Sequence, residues 1–352
     1  MVSKIIKKLN FVSPITTKKA QLETFFIISI LLIGLSLWVF FTDHVIPEDP
    51  YFYLVVSKNI VLNGHHSFNN IFSTNGFHPL WQYLLVLYDY CLNFIDSSWI
   101  HFSVHAVPLS FLLLCLSVKN LFKLKTQLKV SSSLFIIIPI IYSMFFSMLY
   151  SEAHLYLYIL TILLCFISNS DFFKNKNILK LSTICTLLFL SRLDSIFIII
   201  SLFLWISCIH KKLIFTLKSG CLFTLLSLPY LIFNYSYFGS FFPISGYMKS
   251  SFPNIATAPS FFKLTPLPLF REYQVLLGLL PIILGVSIYF YNIYYKKITH
   301  QKQIHLIGIM SIGLLFHAFY HMLFSIGWVH WYWYYVPHSL LIGLIVMVYH
   351  RN

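Results

Sequence analysis

The chain is poor in charge, and poorest in acid. Of its 352 residues only ten are Asp or Glu, and charged residues of both signs make up 10%. A soluble domain carries about 25%. That shortage excludes an ordinary water-soluble globule. No long polar segment interrupts the apolar runs, so residues 1–352 read as a single membrane domain without a soluble one. Fixed-period repeats and low-complexity segments are missing as well. Cysteine is sparse. Cys91, Cys115, Cys165, Cys185, Cys208 and Cys221 lie in or at the edges of apolar segments, without the spacing of metal ligands. We expect them to be small buried apolar residues and expect no disulfides.

What is present is apolar: 58% of the residues, in runs long enough for membrane helices. The net charge of +14 does not point to nucleic acid. Lys and Arg sit in short clusters between apolar runs, where they set orientation and meet anionic membrane lipid. Lys4, Lys7, Lys8, Lys18 and Lys19 precede the first run, 24–42. No small-residue cleavage site follows that run, so a retained first span is expected rather than a signal peptide.

Apolar runs fall near 24–42, 79–95, 101–122, 132–150, 153–169, 178–210, 213–233, 273–293, 304–326 and 334–350. The run 178–210 is broken by Arg192-Leu193-Asp194 and exceeds the roughly 20 residues that cross a bilayer. Two short helices meeting at a polar hairpin are expected there. The run 79–95 contains Gln82, Tyr83, Tyr88, Asp89 and Tyr90, which fit a helix lying at the interface. With it lying flat, about ten crossings place both termini in the cytoplasm of an inner (plasma) membrane protein. All Lys and Arg except Lys58, Arg192, Lys249, Lys263 and Arg271 then face the cytoplasm. Glu48, Asp49, His78, Glu152, Arg192, Asp194, Lys249 and the aromatic stretch 328–335 then fall together on the outer side. The outer loops are 43–100, with an amphipathic helix at 50–63 capped by Asp49 and ended by Gly64, a large loop 234–272 with little regular structure, and 327–333.

These residues suggest chemistry. Asp49, beside Glu48 just past the first span, can take a proton from an attacking hydroxyl, hold a divalent metal, or simply cap its helix. Arg192 can bind an anion or pair with Asp194. Lys249 is a candidate cation or a solvated loop charge. His78, fixed in extended backbone by Pro79, can bond an anion, orient Asp49 or be a satisfied interfacial histidine. Asn75-Gly76 reads as a turn and Trp81 as an interface anchor. The stretch Trp328 to Tyr335 is an aromatic belt by default; the alternative has some rings and His330 lining a pocket. His317 and His321 share a helix face. Without an HExxH-type partner, a packed or hydrogen-bonded pair is expected.

The runs Glu48-Asp49-Pro50-Tyr51-Phe52-Tyr53-Leu54, Asn59-Ile60, Gly64 and Thr74-Asn75-Gly76-Phe77-His78-Pro79-Leu80-Trp81 resemble the first outer loop of bacterial polytopic GT-C glycosyltransferases. Ser191-Arg192-Leu193-Asp194 is similar to their Arg-x-Asp hairpin. Asn234-Tyr235-Ser236-Tyr237-Phe238-Gly239 with Pro243-Ile244-Ser245-Gly246 and Lys249 is similar to a later loop, and Glu152 stands near a conserved acid. Two departures are Pro50 after the acidic pair and Tyr150-Ser151-Glu152-Ala153 without Gly-Met. The resemblance implies an all-α, GT-C-like fold without the outer C-terminal domain of larger members. It also implies a hexosyl- or pentosyltransferase, inverting, that takes its sugar from a polyprenyl-phosphate donor. Asp49, with Glu48, would be the catalytic base. Arg192, Lys249, His78, Asp194, Glu152, Asn75 and His330 would contact donor phosphate or substrate. The resemblance leaves metal dependence open: the transfer runs without a metal or with Mg2+ or Mn2+, for which Asp49 is the candidate ligand. The acceptor is an unknown glycan, lipid or protein on the extracytoplasmic face. The competing function is a lipid-linked-sugar flippase or transporter, which would place charge near mid-bilayer and often shows inverted repeats.

Overall fold

The computed structural model describes residues 27, 29–31, 34, 48–96, 106–130, 132–145, 151–255, 274–295, 302–326 and 332–349. Among them there is no β-strand, and helices make the fold. Helix α1 spans Glu48–Asn63 and ends at Gly64, whose φ of 70° suits a residue without Cβ. It starts two residues earlier than expected, which puts Asp49 inside the first turn, where an acid favours the helix dipole. Helix α2, Pro79–Ile95, begins with Pro at its first position, and His78 before it is extended (φ −79°, ψ 120°).

Helices α3 (Val107–Gln127), α4 (Leu134–Phe145), α5 (Ala153–Ile167), α6 (Ile178–Ser191), α7 (Ile196–Cys208) and α8 (Leu213–Phe238) follow. The run 178–210 is split as expected: Arg192 is extended and Leu193–Ser195 form a single 3-10 turn. A short α9 (Ile244–Met248), then α10 (Leu280–Tyr294), α11 (Lys302–Phe324) and α12 (Val336–Tyr349) complete the set.

The segments 107–127, 213–238, 277–294 and 302–324 are long and apolar enough to cross a membrane, and 134–145, 153–167, 193–208 and 333–348 are shorter apolar helices. An all-α membrane protein follows.

Packing joins α3 to α5, α4 to α12, α10 to α11, α6 to α8, and α7 to α11. Leu114, Leu121, Leu157, Leu160, Phe135 and Ile136 are fully buried between them. Helices α7 and α11 approach closely at Gly313, where an added Cβ would stand 2.7 Å from the Cα of Ile198. Small residues let apolar helices meet in this way.

The bundle has two distinct polar ends. At one, Gln127 Nε2 donates to Asn169 Oδ1 at 2.7 Å, Gln303 Nε2 to the Leu128 carbonyl at 2.7 Å, and Lys302 Nζ to the Ser168 carbonyl at 2.7 Å. At the other lie the starts of α2, α5, α7 and α12 and the ends of α6 and α11.

Four expectations need correction. Trp81 is not an interface anchor; it is fully buried on the inner face of α2 beside Leu85. Of the polar residues of α2, Tyr83 and Tyr90 are exposed, but two others do not mark a wetted face. Gln82 and Asp89 are buried, with Ser57 Oγ donating to Asp89 Oδ2 at 2.5 Å, whereas Leu87 and Phe94 are exposed. Exposed Leu87 and Phe94 suit lipid contact, and Gln82 and Asp89 each make a hydrogen bond to α1. Residue 234 does not open a loop, because α8 continues a further turn to Phe238 and ends at Gly239 with φ 72°. Cys91, Cys208 and Cys221 are exposed rather than buried; Cys165 and Cys185 are buried.

Candidate functional site

The hairpin between α6 and α7 sets Arg192 and Asp194 side by side. Arg192 donates from Nε to Asp194 Oδ1 at 3.1 Å and from Nη2 to Asp194 Oδ2 at 2.7 Å. This is the planar fork that a guanidinium offers a carboxylate. Its Nη1 donates to Glu152 Oε1 at 3.0 Å, from the residue just before α5. Arg192 and Glu152 are buried, at 2% and 3% exposure. The Tyr334 ring lies with its centroid 4.3 Å from the guanidinium carbon, and Tyr156 flanks it at 5.8 Å. A cation between ring faces and two carboxylates is held by several weak attractions that burial strengthens.

Histidines border the trio on two sides. His78 Nε2 is 3.7 Å from Glu152 Oε1. His317 Nε2 is 3.3 Å from Asp194 Oδ2 and 3.0 Å from His321 Nε2, and His321 Nδ1 is 2.6 Å from Ser325 Oγ. The expected hydrogen-bonded pair at 317 and 321 is therefore present, and it continues into the ion cluster. The His78 amide donates to the Tyr53 hydroxyl at 3.2 Å, and Gln82 Nε2 donates to the Tyr53 carbonyl at 3.2 Å. Burial, with the Glu152 charge beside it, raises the Tyr53 phenol well above its usual range. Burial lowers the His78 imidazole, partly offset by Glu152, so this ring is neutral near pH 7. His78 Nδ1 is buried without a hydrogen-bond partner. Lys249, half-buried just after α9, is near enough to His78 to oppose its protonation. The Ile326 amide donates to the Lys249 carbonyl at 3.2 Å, tying this loop to the end of α11.

The structure thus gathers His78, Glu152, Arg192, Asp194 and Lys249, drawn from distant parts of the chain. Arg192 is engaged by two carboxylates. Its charge is spent on Asp194 and Glu152, and the ion pair weighed in the sequence is the one that forms. The Asn75 side chain is buried and clasps two loops, donating to Ser240 Oγ and the Phe242 carbonyl, each at 3.3 Å, and accepting from the Ile244 amide at 2.9 Å. Glu48 and Asp49 stand in the first turn of α1, one turn before Tyr53; their side chains lie outside the described residues, as does His330. Sequence reasoning missed Tyr53, Tyr334 and His317 as members of the cluster. The signals were there: Tyr53 is four residues after Asp49, and Tyr334 lies in the aromatic stretch.

Among the described residues no group of three or more His, Cys, Asp or Glu side chains has metal-holding geometry. Two cavities are lined in part by residues close in sequence to the cluster. One, of about 490 Å³, is apolar and lined by Pro79, Leu80, Tyr83, Leu190 and Phe233, with His66 at its edge. The other, of about 540 Å³, lies between residues 73–75 and the segment 235–247. Comparison of the chain with protein-family models, curated proteins and solved structures finds no match.

Proposed function

We propose that the protein is a membrane glycosyltransferase that moves a sugar from a polyprenyl-phosphate donor to an acceptor on the extracytoplasmic face. One observation carries this reading. Charged and titratable side chains from five separate stretches of an acid-poor chain meet at one end of the bundle: His78, Glu152, Arg192 with Asp194, Lys249, and His317. Perturbed, partly buried ionisable groups gathered in this way are a common mark of a functional site. The family resemblance supplies the reaction class, and the arrangement supports it.

In this reading the acceptor hydroxyl attacks the anomeric carbon and gives its proton to the Asp49 carboxylate. The bond from that carbon to the phosphate oxygen breaks, the electron pair leaves with polyprenyl phosphate, and configuration inverts. Negative charge grows on the leaving phosphate and needs a cation nearby. With Arg192 engaged by two carboxylates, Lys249 takes that role, with His78 beside it as a neutral hydrogen-bonding group. Arg192 and Glu152 become positioning residues that brace His78 and the hairpin. The apolar cleft begins at Pro79, next to His78, and reaches Leu190, two residues before Arg192. A prenyl chain fits such a cleft, with its phosphate at the charged end.

The two polar ends of the bundle support the topology of about ten crossings with α2 at the interface. Residues 127–128, 168–169 and 302–303 meet at the end opposite the cluster, so α3 runs away from it. The site would then be extracytoplasmic and both termini cytoplasmic. A flippase is less well supported, because the cluster lies at an end of the bundle and not at its middle.

The test is release of polyprenyl phosphate from a polyprenyl-phosphate sugar by the purified protein in proteoliposomes, with and without chelator. Asp49→Asn should abolish release while the protein still inserts and folds; near-normal release would remove Asp49 as the base. Mass spectrometry of cell-envelope glycans with and without the protein identifies the sugar.

A further inference from the structure

We infer that the 540 Å³ cavity between residues 73–75 and 235–247 binds a neutral saccharide. The inference deepens the transferase reading and rests on it only for the name acceptor; the site stands on its own geometry.

The walls carry two kinds of group. Tyr235, Phe241 and Tyr247 supply ring faces, each about half exposed. Tyr235 and Phe241 stack at 4.6 Å between centroids and 15° between planes, which stiffens both rings and leaves each one uncovered face. Ser73 and Thr74 bring hydroxyls to it, and Ser240 a third that is engaged with Asn75 and the Phe242 carbonyl. A pyranose matches this surface. Its axial C–H face is weakly positive and packs on the negative face of an aromatic ring, and its edge hydroxyls exchange hydrogen bonds with side-chain hydroxyls. Among the described residues that line the cavity none is charged. A phosphate or uronate entering it would be partly desolvated without a counterion, whereas a neutral ring loses nothing of that kind.

The cavity is also held open. Asn75 spends three hydrogen bonds joining its two sides, and Asn234 Nδ2 donates to the Phe241 carbonyl at 3.2 Å. A ligand therefore meets a preformed site and orders little on binding. It is close to the chemistry too. Asn75 is three residues before His78, and Tyr247 is two before Lys249. Exposed aromatics at a membrane surface can instead anchor in headgroups. A belt of that kind needs no hydroxyl-lined cavity and no clasp.

The experiment uses the full chain in lipid nanodiscs and saturation-transfer NMR. The probes are the methyl glycosides of glucose, galactose and N-acetylglucosamine, their disaccharides maltose, lactose and chitobiose, and methyl glucuronide as the charged control. At least one neutral probe should receive saturation on its ring C–H protons. Tyr247→Ala and Tyr235→Ala should weaken it by roughly tenfold with helical circular dichroism unchanged, and Tyr247→Phe should keep most of it. The inference fails if no neutral probe is saturated, if the glucuronide is preferred, or if both Ala variants bind as before and change only lipid retention. A protein that binds the probes but never releases polyprenyl phosphate refutes the transferase reading and leaves this site intact. One that transfers sugar yet ignores every probe refutes this site alone.

Discussion

Replacing Arg192 by Met removes the cation that touches both Glu152 and Asp194. Methionine fills similar volume, so the change is chiefly one of charge. Glu152 then loses a 3.0 Å partner while its side chain stays 4% exposed. Asp194 loses a 2.7 Å partner, but its side chain is 23% exposed and keeps some water. At an effective dielectric of about 20, unit charges about 4 Å apart attract by about 4 kcal/mol. Removing one member of a buried pair costs about 3–5 kcal/mol, because the other charge is stranded. We expect a loss in that range, most of it from Glu152. Adding Glu152→Gln to Arg192→Met should recover part of the loss, since the stranded charge is gone. Arg192→Lys should recover less than full stability, since an ammonium cannot reproduce the fork onto Asp194 while reaching Glu152. The assay is unfolding in mixed detergent and SDS micelles, followed by tryptophan fluorescence. A loss below about 1 kcal/mol, or a double variant no better than the single one, would refute the reasoning. A folded Arg192→Met protein that loses only donor affinity would return Arg192 to the role of phosphate ligand.

Asn75→Ala should release the clasp between residues 75 and 240–244, at a cost of about 1–3 kcal/mol for the polar groups left unpaired; faster proteolysis within 239–255 would report it, and unchanged protection there would refute it. His78 is neutral in the fold, with its proton affinity depressed by burial. The unfolded chain therefore takes up a proton first, at about pH 6.5. The contribution of His78 is complete above that pH and falls as the pH drops towards the folded value. Wild type should lose stability between neutral pH and pH 5 more steeply than His78→Gln, and equal slopes would contradict the assignment. A reporter fused after Lys125 should read cytoplasmic; an external reading would mean that α2 crosses the bilayer.

Much of the fold was legible because membrane helices are governed by length and polarity alone. The Arg192-Leu193-Asp194 break, Pro79 and Gly64 each mark a boundary through a local rule of charge burial or backbone freedom, and the structure obeys all three. Local rules did less well on direction. Gln82 and Asp89 on α2 looked like a wetted face and turned out to be the inner one, because a helix in lipid can turn its polar groups towards protein partners.

The candidate site shows the same division. That acids, cations and histidines collect on one side followed from the order of runs and clusters along the chain, since each crossing of a bilayer reverses the side. Which of them touch did not follow. Arg192 had Asp194 two residues away as a visible partner, but Glu152 forty positions earlier and Tyr334 far downstream reach it only because α5, α6 and α12 end at one place. Pairing between distant residues is decided by how helices pack, and packing depends on surfaces that no single stretch of sequence contains.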